Sequence, residues 1–186
     1  EPNSHITAIG NKRAIENPNL PFNLNTTDGA RIIAARYSDG TNCTSKGRGP
    51  VFDYANNDME CRNRVEQSLI EVFGRANIAN REYDIGEVAK VRTSTYIIGQ
   101  ALERAGAVIG EVIEQNPHVP SFIREGSREM KREWLIQAFG DEGYLWPQRG
   151  KVRIGRATEV TGILSKDMKK SLEQQKWEDK ISDGNL

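Results

Sequence analysis

An acidic residue followed by glycine closes a helix-compatible run twice in this chain, at Asp39-Gly40 and, 103 positions later, at Glu142-Gly143. After each comes a pattern of two short strands about a turn. Two copies of one supersecondary unit in 186 residues leave few architectures open, because each copy must bury its apolar side against its own sheet or against the other copy.

The signals between these marks predict the element order. Residues 1–28 are polar, carry Pro2, Pro18 and Pro21, and read as an extended arm (1–19) leading to a first helix over Ala30–Ser38 with Thr27 or Asp28 as its cap. A first hairpin follows over 41–56, turning through Ser45-Lys46-Gly47-Arg48-Gly49-Pro50. Asn57 or Asp58 then caps a second helix, in which Val65, Leu69, Val72 and Phe73 recur at helical spacing before Gly74. Residues 76–94 predict a second hairpin near Gly86, with Ala89 and Val91 toward the helices and Lys90 and Arg92 on the opposite face. The longest apolar stripe, Ile97 to Ile113, predicts a core helix started by Ser94 or Thr95 and closed by Pro117 and Pro120.

The pattern then begins again. Ser127 caps a helix over Arg128–Gly140, a hairpin over 144–158 turns between Pro147 and Gly150, and Leu164–Trp177 reads as a charged helix. The second copy lacks a second hairpin and a closing helix. That predicts a first repeat over 20–118 and a partial second one over 119–186, with the chain either a fragment or completed by a second copy as a homodimer, since an open sheet edge invites pairing.

Charge sets the functional limits. Lys and Arg total 26 against 26 Asp and Glu, so the chain as a whole is not a basic nucleic-acid binder and any attraction must be local. It is local in one place: residues 144–158 carry Arg149, Lys151, Arg153 and Arg156 and no acid. The first hairpin adds Lys46 and Arg48, while in the second Arg81, Lys90 and Arg92 are balanced by Glu82, Asp84 and Glu87. Strand alternation puts Arg149, Lys151 and Arg153 on one face, which suits a ribbon lying in a DNA major groove. Two cysteines and two histidines, His5 and His118, give neither a disulfide framework nor a zinc site. Apolar runs fall far short of the roughly 18 residues that cross a bilayer. The expectation is a cytoplasmic protein with no membrane partner, a nucleoid-associated or organellar location staying open. The glycine-rich turn lacks the Gly-Lys-Ser/Thr ending of a phosphate-cradling loop.

The two acid-glycine helices resemble the LAGLIDADG homing endonuclease family. Its signature is a helix with small residues on one side that ends in an acidic residue and glycine, present twice in single-chain members. Ala30-Arg31-Ile32-Ile33-Ala34-Ala35-Arg36-Tyr37-Ser38-Asp39-Gly40 is similar to the first copy, and Trp134-Leu135-Ile136-Gln137-Ala138-Phe139-Gly140-Asp141-Glu142-Gly143 to the second. A proline-bearing turn, Leu20-Pro21-Phe22 or Val119-Pro120-Ser121-Phe122, precedes each. The resemblance implies an α/β (α+β) fold of pseudo-two-fold αββαββα repeats with concave antiparallel sheets.

It also implies cleavage of both strands of duplex DNA at a specific site, in the service of intron or intein mobility. Asp39 and Glu142 would hold Mg²⁺ or Mn²⁺, and Lys90 would stand near the scissile phosphate. Helices packed through small residues bring their C-terminal ends together, and paired carboxylates there suit hard divalent ions that activate water and steady a leaving oxygen. The hairpin cations, Lys46, Arg48, Arg81, Lys90, Arg92, Arg149, Lys151, Arg153 and Arg156, would contact DNA. Ala34 and Ser38 keep the small pair of the first helix, but Gln137 and Asp141 stand where the family favours Gly or Ala. Either the helices are further apart or these polar groups bond across the interface. A relaxed second motif also suits a catalytically inactive DNA-binding regulator or an RNA maturase.

Overall fold

The computed structural model describes residues 6–10, 14–44, 49–75, 78–81, 88–93, 95–110, 118–146 and 151–154, of which 142–146 and 151–154 by their backbone. Mixed helices and antiparallel sheets make it an α+β fold. In chain order the elements are β1 (Ala8–Ile9), β2 (Ile15–Glu16), α1 (Thr27–Tyr37), β3 (Gly40–Thr44), β4 (Pro50–Ala55), α2 (Met59–Phe73), β5 (Ile78–Arg81), β6 (Lys90–Thr93) and α3 (Tyr96–Arg104). Then follow α4 (Ser121–Arg124), α5 (Arg128–Glu142), β7 (Gly143–Trp146) and β8 (Lys151–Ile154).

Helix α1 is the hub. Thr26 caps it by accepting from the Gly29 amide at 3.0 Å, one residue before Thr27 and two before Asp28, the expected caps. Ala30, Ile32, Ile33, Ala34 and Ala35 are all fully buried, because the sheet, α2 and α5 each take a side of it. Helix α2 begins where Asp58 accepts from the Glu60 and Cys61 amides, and ends at Gly74, whose φ of 90° only glycine adopts without strain. Val65, Leu69, Val72 and Phe73 form its buried stripe, as the spacing predicts.

The main sheet runs β3-β4-β6-β5, antiparallel throughout. Its pleat sends Asn42, Phe52, Tyr54, Val91 and Thr93 into the core, whereas Thr41, Cys43 and Arg92 stay exposed on the far face, with Asp53 and Lys90 half-buried. Ala89 and Val91 face the helices as expected. A second antiparallel pair, β7-β8, follows α5 as the first hairpin follows α1, with Gly143 opening β7 as Gly40 opens β3.

Three elements differ from the sequence expectation. The arm is no free extension: β1 pairs with β2, Ile15 is fully buried, Glu16 bridges to Arg75, and the Asn19 amide caps α2 by donating to the Glu71 carbonyl at 2.8 Å. Helix α3 stops at Arg104, well before the prolines. The Gly106 amide turns back to the Glu103 carbonyl and the Ala107 amide to that of Leu102, a Schellman closure that the left-handed φ of Gly106, 101°, makes available. Residues 107–110 follow as coil, with Ala107 buried, and the rest of the stripe lies outside the described residues. Helix α5 runs two residues past Gly140, to Glu142. The charged helix expected over 164–177 lies outside the described residues.

Gly99 on α3 meets β4 so closely that a Cβ would overlap the Pro50 carbonyl oxygen, a backbone atom that cannot swing aside. Gly99→Ala should therefore lower unfolding free energy by about 1–3 kcal/mol, the usual scale of an overpacked core. Urea denaturation reads it, and an unchanged midpoint would mean that α3 is not seated on β4 as described.

Candidate functional site

The C-terminal ends of α1 and α5 converge, because the two helices pack along their lengths. At their N-terminal halves the Arg31 guanidinium holds Glu133 at 2.6 Å, and also bonds Asp28 and Ser68. At the other end Ser38 and Asp39 form the turn that follows α1, and α5 carries Gln137, Asp141 and Glu142.

The turn holding Asp39 is fixed from below by Arg36. This side chain is fully buried, and its guanidinium donates to the carbonyls of Gly40 (3.0 Å), Val108 (2.8 and 3.1 Å) and Gly110 (2.6 Å). Strand β3 is thereby tied to α1 and to the coil after α3. The Asp39 carbonyl also accepts from the Ala55 amide at 3.2 Å, which anchors the turn to the end of β4.

Around it lies a dense polar cluster. The Asp141 carboxylate accepts from the Ser38 hydroxyl, from the Tyr54 hydroxyl at 2.6 Å, from the Asn56 amide at 3.2 Å and, through both oxygens, from the Gln137 amide at 2.9 Å. Gln137 is 2% exposed and also reaches the Tyr54 oxygen at 3.0 Å. Of the two ways that polar residues in the second motif could be accommodated, this is bonding across the interface. Asn56 is the bridge: its amide nitrogen is 3.2 Å from an oxygen of Asp39 and 3.2 Å from an oxygen of Asp141. The two acids thus stand within two hydrogen-bond lengths of one another.

Burial, followed by the hydrogen bond and the charge of Asp141, holds the Tyr54 phenol far above its usual range, so it is a neutral donor at any working pH. Burial also pushes the Cys61 thiol up, with the nearby charges of Asp58 and Asp141 adding to the effect, which makes it a poor nucleophile. The remaining capacity of Asp141 is small. A carboxylate has about four acceptor positions, and four side chains already occupy them.

The expected site residues fall in several places. Asp39 stands at the convergence. Glu142 ends α5 directly before β7, the position that matches Asp39 before β3, and its carboxylate lies outside the described side chains. Lys90 opens β6 opposite Ala55 on one side and Arg81 on the other, so Lys90, Arg81 and Arg92 share the sheet face away from the helices. Arg92 is bonded there to Asp53 at 2.9 Å. Burial raises the Asp53 carboxyl, and Arg92 and Lys90 act against that rise. Lys151 and Arg153 lie on β8, while Lys46, Arg48, Arg149 and Arg156 lie outside the described residues.

Tyr54 and Asn56 were not among the expected residues. Their signal was faint, two polar groups alternating at the end of a strand one helix turn ahead of α2. Among the described residues no three acidic, histidine or cysteine side chains gather to cage a metal, and no helix is long and apolar enough to cross a membrane. No family model matches the chain, and no curated protein matches it.

Proposed function

We propose that this chain is a LAGLIDADG-type protein that binds duplex DNA on its open sheet faces and cleaves it at the meeting point of α1 and α5. The observation that carries the reading is the convergence itself: two helices ending in an acid and a glycine pack together, each feeds an antiparallel hairpin, and their acidic ends are joined through Asn56. Nothing in composition alone would bring these ends together.

Asp39 and Glu142 would hold the Mg²⁺ or Mn²⁺ ion, because Asp141 is saturated by its four donors and does not fit as a ligand. Bound there, such an ion would polarise a phosphodiester and lower the pKa of its water. The chain's own groups orient and anchor: Asn56 steadies the Asp39 carboxylate, Arg36 fixes its turn, and Lys90, Arg81 and Arg92 supply positive charge for phosphates on the same face. Gln137 and Asp141, polar where the second motif of the family favours Gly or Ala, also favour a second reading, a DNA-binding regulator or RNA maturase that has lost cleavage. Gel shifts at two salt concentrations, followed by incubation of a plasmid library with Mg²⁺, separate the two. Salt-sensitive binding with cleavage supports the nuclease, salt-sensitive binding without it supports the regulator, and absence of DNA binding removes the nuclease and the DNA-binding regulator.

One charge on that face works against DNA. Asp53 occupies Arg92, so Asp53→Asn should release the guanidinium to a phosphate and steepen the salt dependence of binding by about 0.9 in log-log slope. An unaltered slope would place Arg92 outside the DNA footprint.

A further inference from the structure

The β7-β8 pair differs from the main sheet in what its register brings together. Tyr144 stands opposite Arg153 and Trp146 opposite Lys151, whereas Gly143 stands opposite Ile154 and Leu145 opposite Val152. Directly opposed residues share a face, and faces alternate along a strand. One face therefore carries Tyr144, Trp146, Lys151 and Arg153, and the other carries Leu145, Val152 and Ile154. Among the described residues the first face holds two aromatics, two cations and no acid. On the far face of the main sheet the corresponding set, including Thr41, Cys43, Asp53, Lys90 and Arg92, holds no aromatic residue.

We infer that the aromatic and cationic face of β7-β8 binds an unpaired stretch of DNA, an inference that rests on the reading of this chain as a DNA-binding protein. In a duplex the bases are stacked about 3.4 Å apart and hide their π-faces, so a groove offers aromatic rings little beyond thymine methyls. Two ring-bearing positions two residues apart on a strand are about 6.7 Å from one another. That interval suits bases splayed from a single strand, each with its own platform. The facing cation lies one strand away, about 4.8 Å, close enough to serve the phosphate of the same nucleotide.

The test uses the full chain, with fluorescence anisotropy on labelled oligo(dT), oligo(U) and a duplex of equal length. Tyr144→Ala with Trp146→Ala should weaken oligo(dT) binding by about thirtyfold or more, the loss of two stacking platforms, and should lower the ratio of oligo(dT) to duplex affinity. Tyr144→Phe with Trp146→Phe keeps both rings and should retain most of the affinity. Lys151→Ala with Arg153→Ala should flatten the salt dependence on oligo(dT). A phenylalanine pair as damaged as the alanine pair would overturn stacking, and preference for oligo(U) would overturn the assignment to DNA. Duplex binding without oligo(dT) binding would remove this inference and leave the DNA-binding reading standing; failure to bind any of the three would remove both.

Discussion

Asp39→Asn is expected to abolish Mg²⁺-dependent strand cleavage while the protein still shifts duplex DNA. The substitution keeps the size and the hydrogen-bonding reach toward Asn56, so the turn between α1 and β3, held by Arg36 and the Ala55 amide, should persist. What it removes is the anionic oxygen that a hard cation requires. Loss of an outer-shell partner already costs roughly 10- to 100-fold in metal affinity or activity, and loss of a ligand should exceed that. The comparison to make is single-turnover cleavage at saturating protein, with gel shifts in parallel and Glu142→Gln as the companion variant. Cleavage that survives both substitutions together would end the nuclease reading. Loss of DNA binding along with cleavage would instead mean that Asp39 supports the fold rather than the reaction.

The architecture was legible in the sequence wherever one signal decided it. Asp58, Gly74 and the stripe from Val65 to Phe73 define α2 almost to the residue, since cap, stop and periodicity agree there. The hairpin signs were sound because glycine and proline mark turns locally. Helix α3 was not legible to its end. Its apolar spacing runs on past Arg104, and only the local geometry of Gly106 ends it; a glycine inside a helical pattern carries no mark saying whether it will be tolerated or will turn the chain. The arm was misleading for a related reason. Asparagines and prolines read as loop, yet Ile15 among them is an anchor buried completely in the hydrophobic core. In the site, the acid-glycine marks identified Asp39, but no pattern singled out Asn56 or Tyr54. They matter through which carboxylate they reach across 85 and 87 residues of sequence, a tertiary relation without a local trace.

Asp141→Ala is expected to be the most destabilising single change at the interface. It deletes the acceptor shared by Ser38, Tyr54, Asn56 and Gln137, and two of these, Tyr54 and Gln137, are buried where water does not replace it. Hydrogen bonds to a charged group contribute about 1.5–3 kcal/mol each, and a buried donor left unmatched adds its own desolvation cost. Solvent reaches part of Asp141, so the sum is discounted to about 2–4 kcal/mol. For a chain of this size that lowers Tm by roughly 5–15 °C. The diagnostic is the partner substitution: Gln137→Leu in the Asp141→Ala background removes a stranded buried amide and should recover part of the loss, because deleting both members of a polar pair is far cheaper than deleting one. The double-mutant cycle then isolates the coupling. Additive losses in that cycle would show that Gln137 and Asp141 do not act together, and a Tm within a degree or two of the parent for Asp141→Ala alone would mean that the cluster joining α1 to α5 contributes little to holding them together.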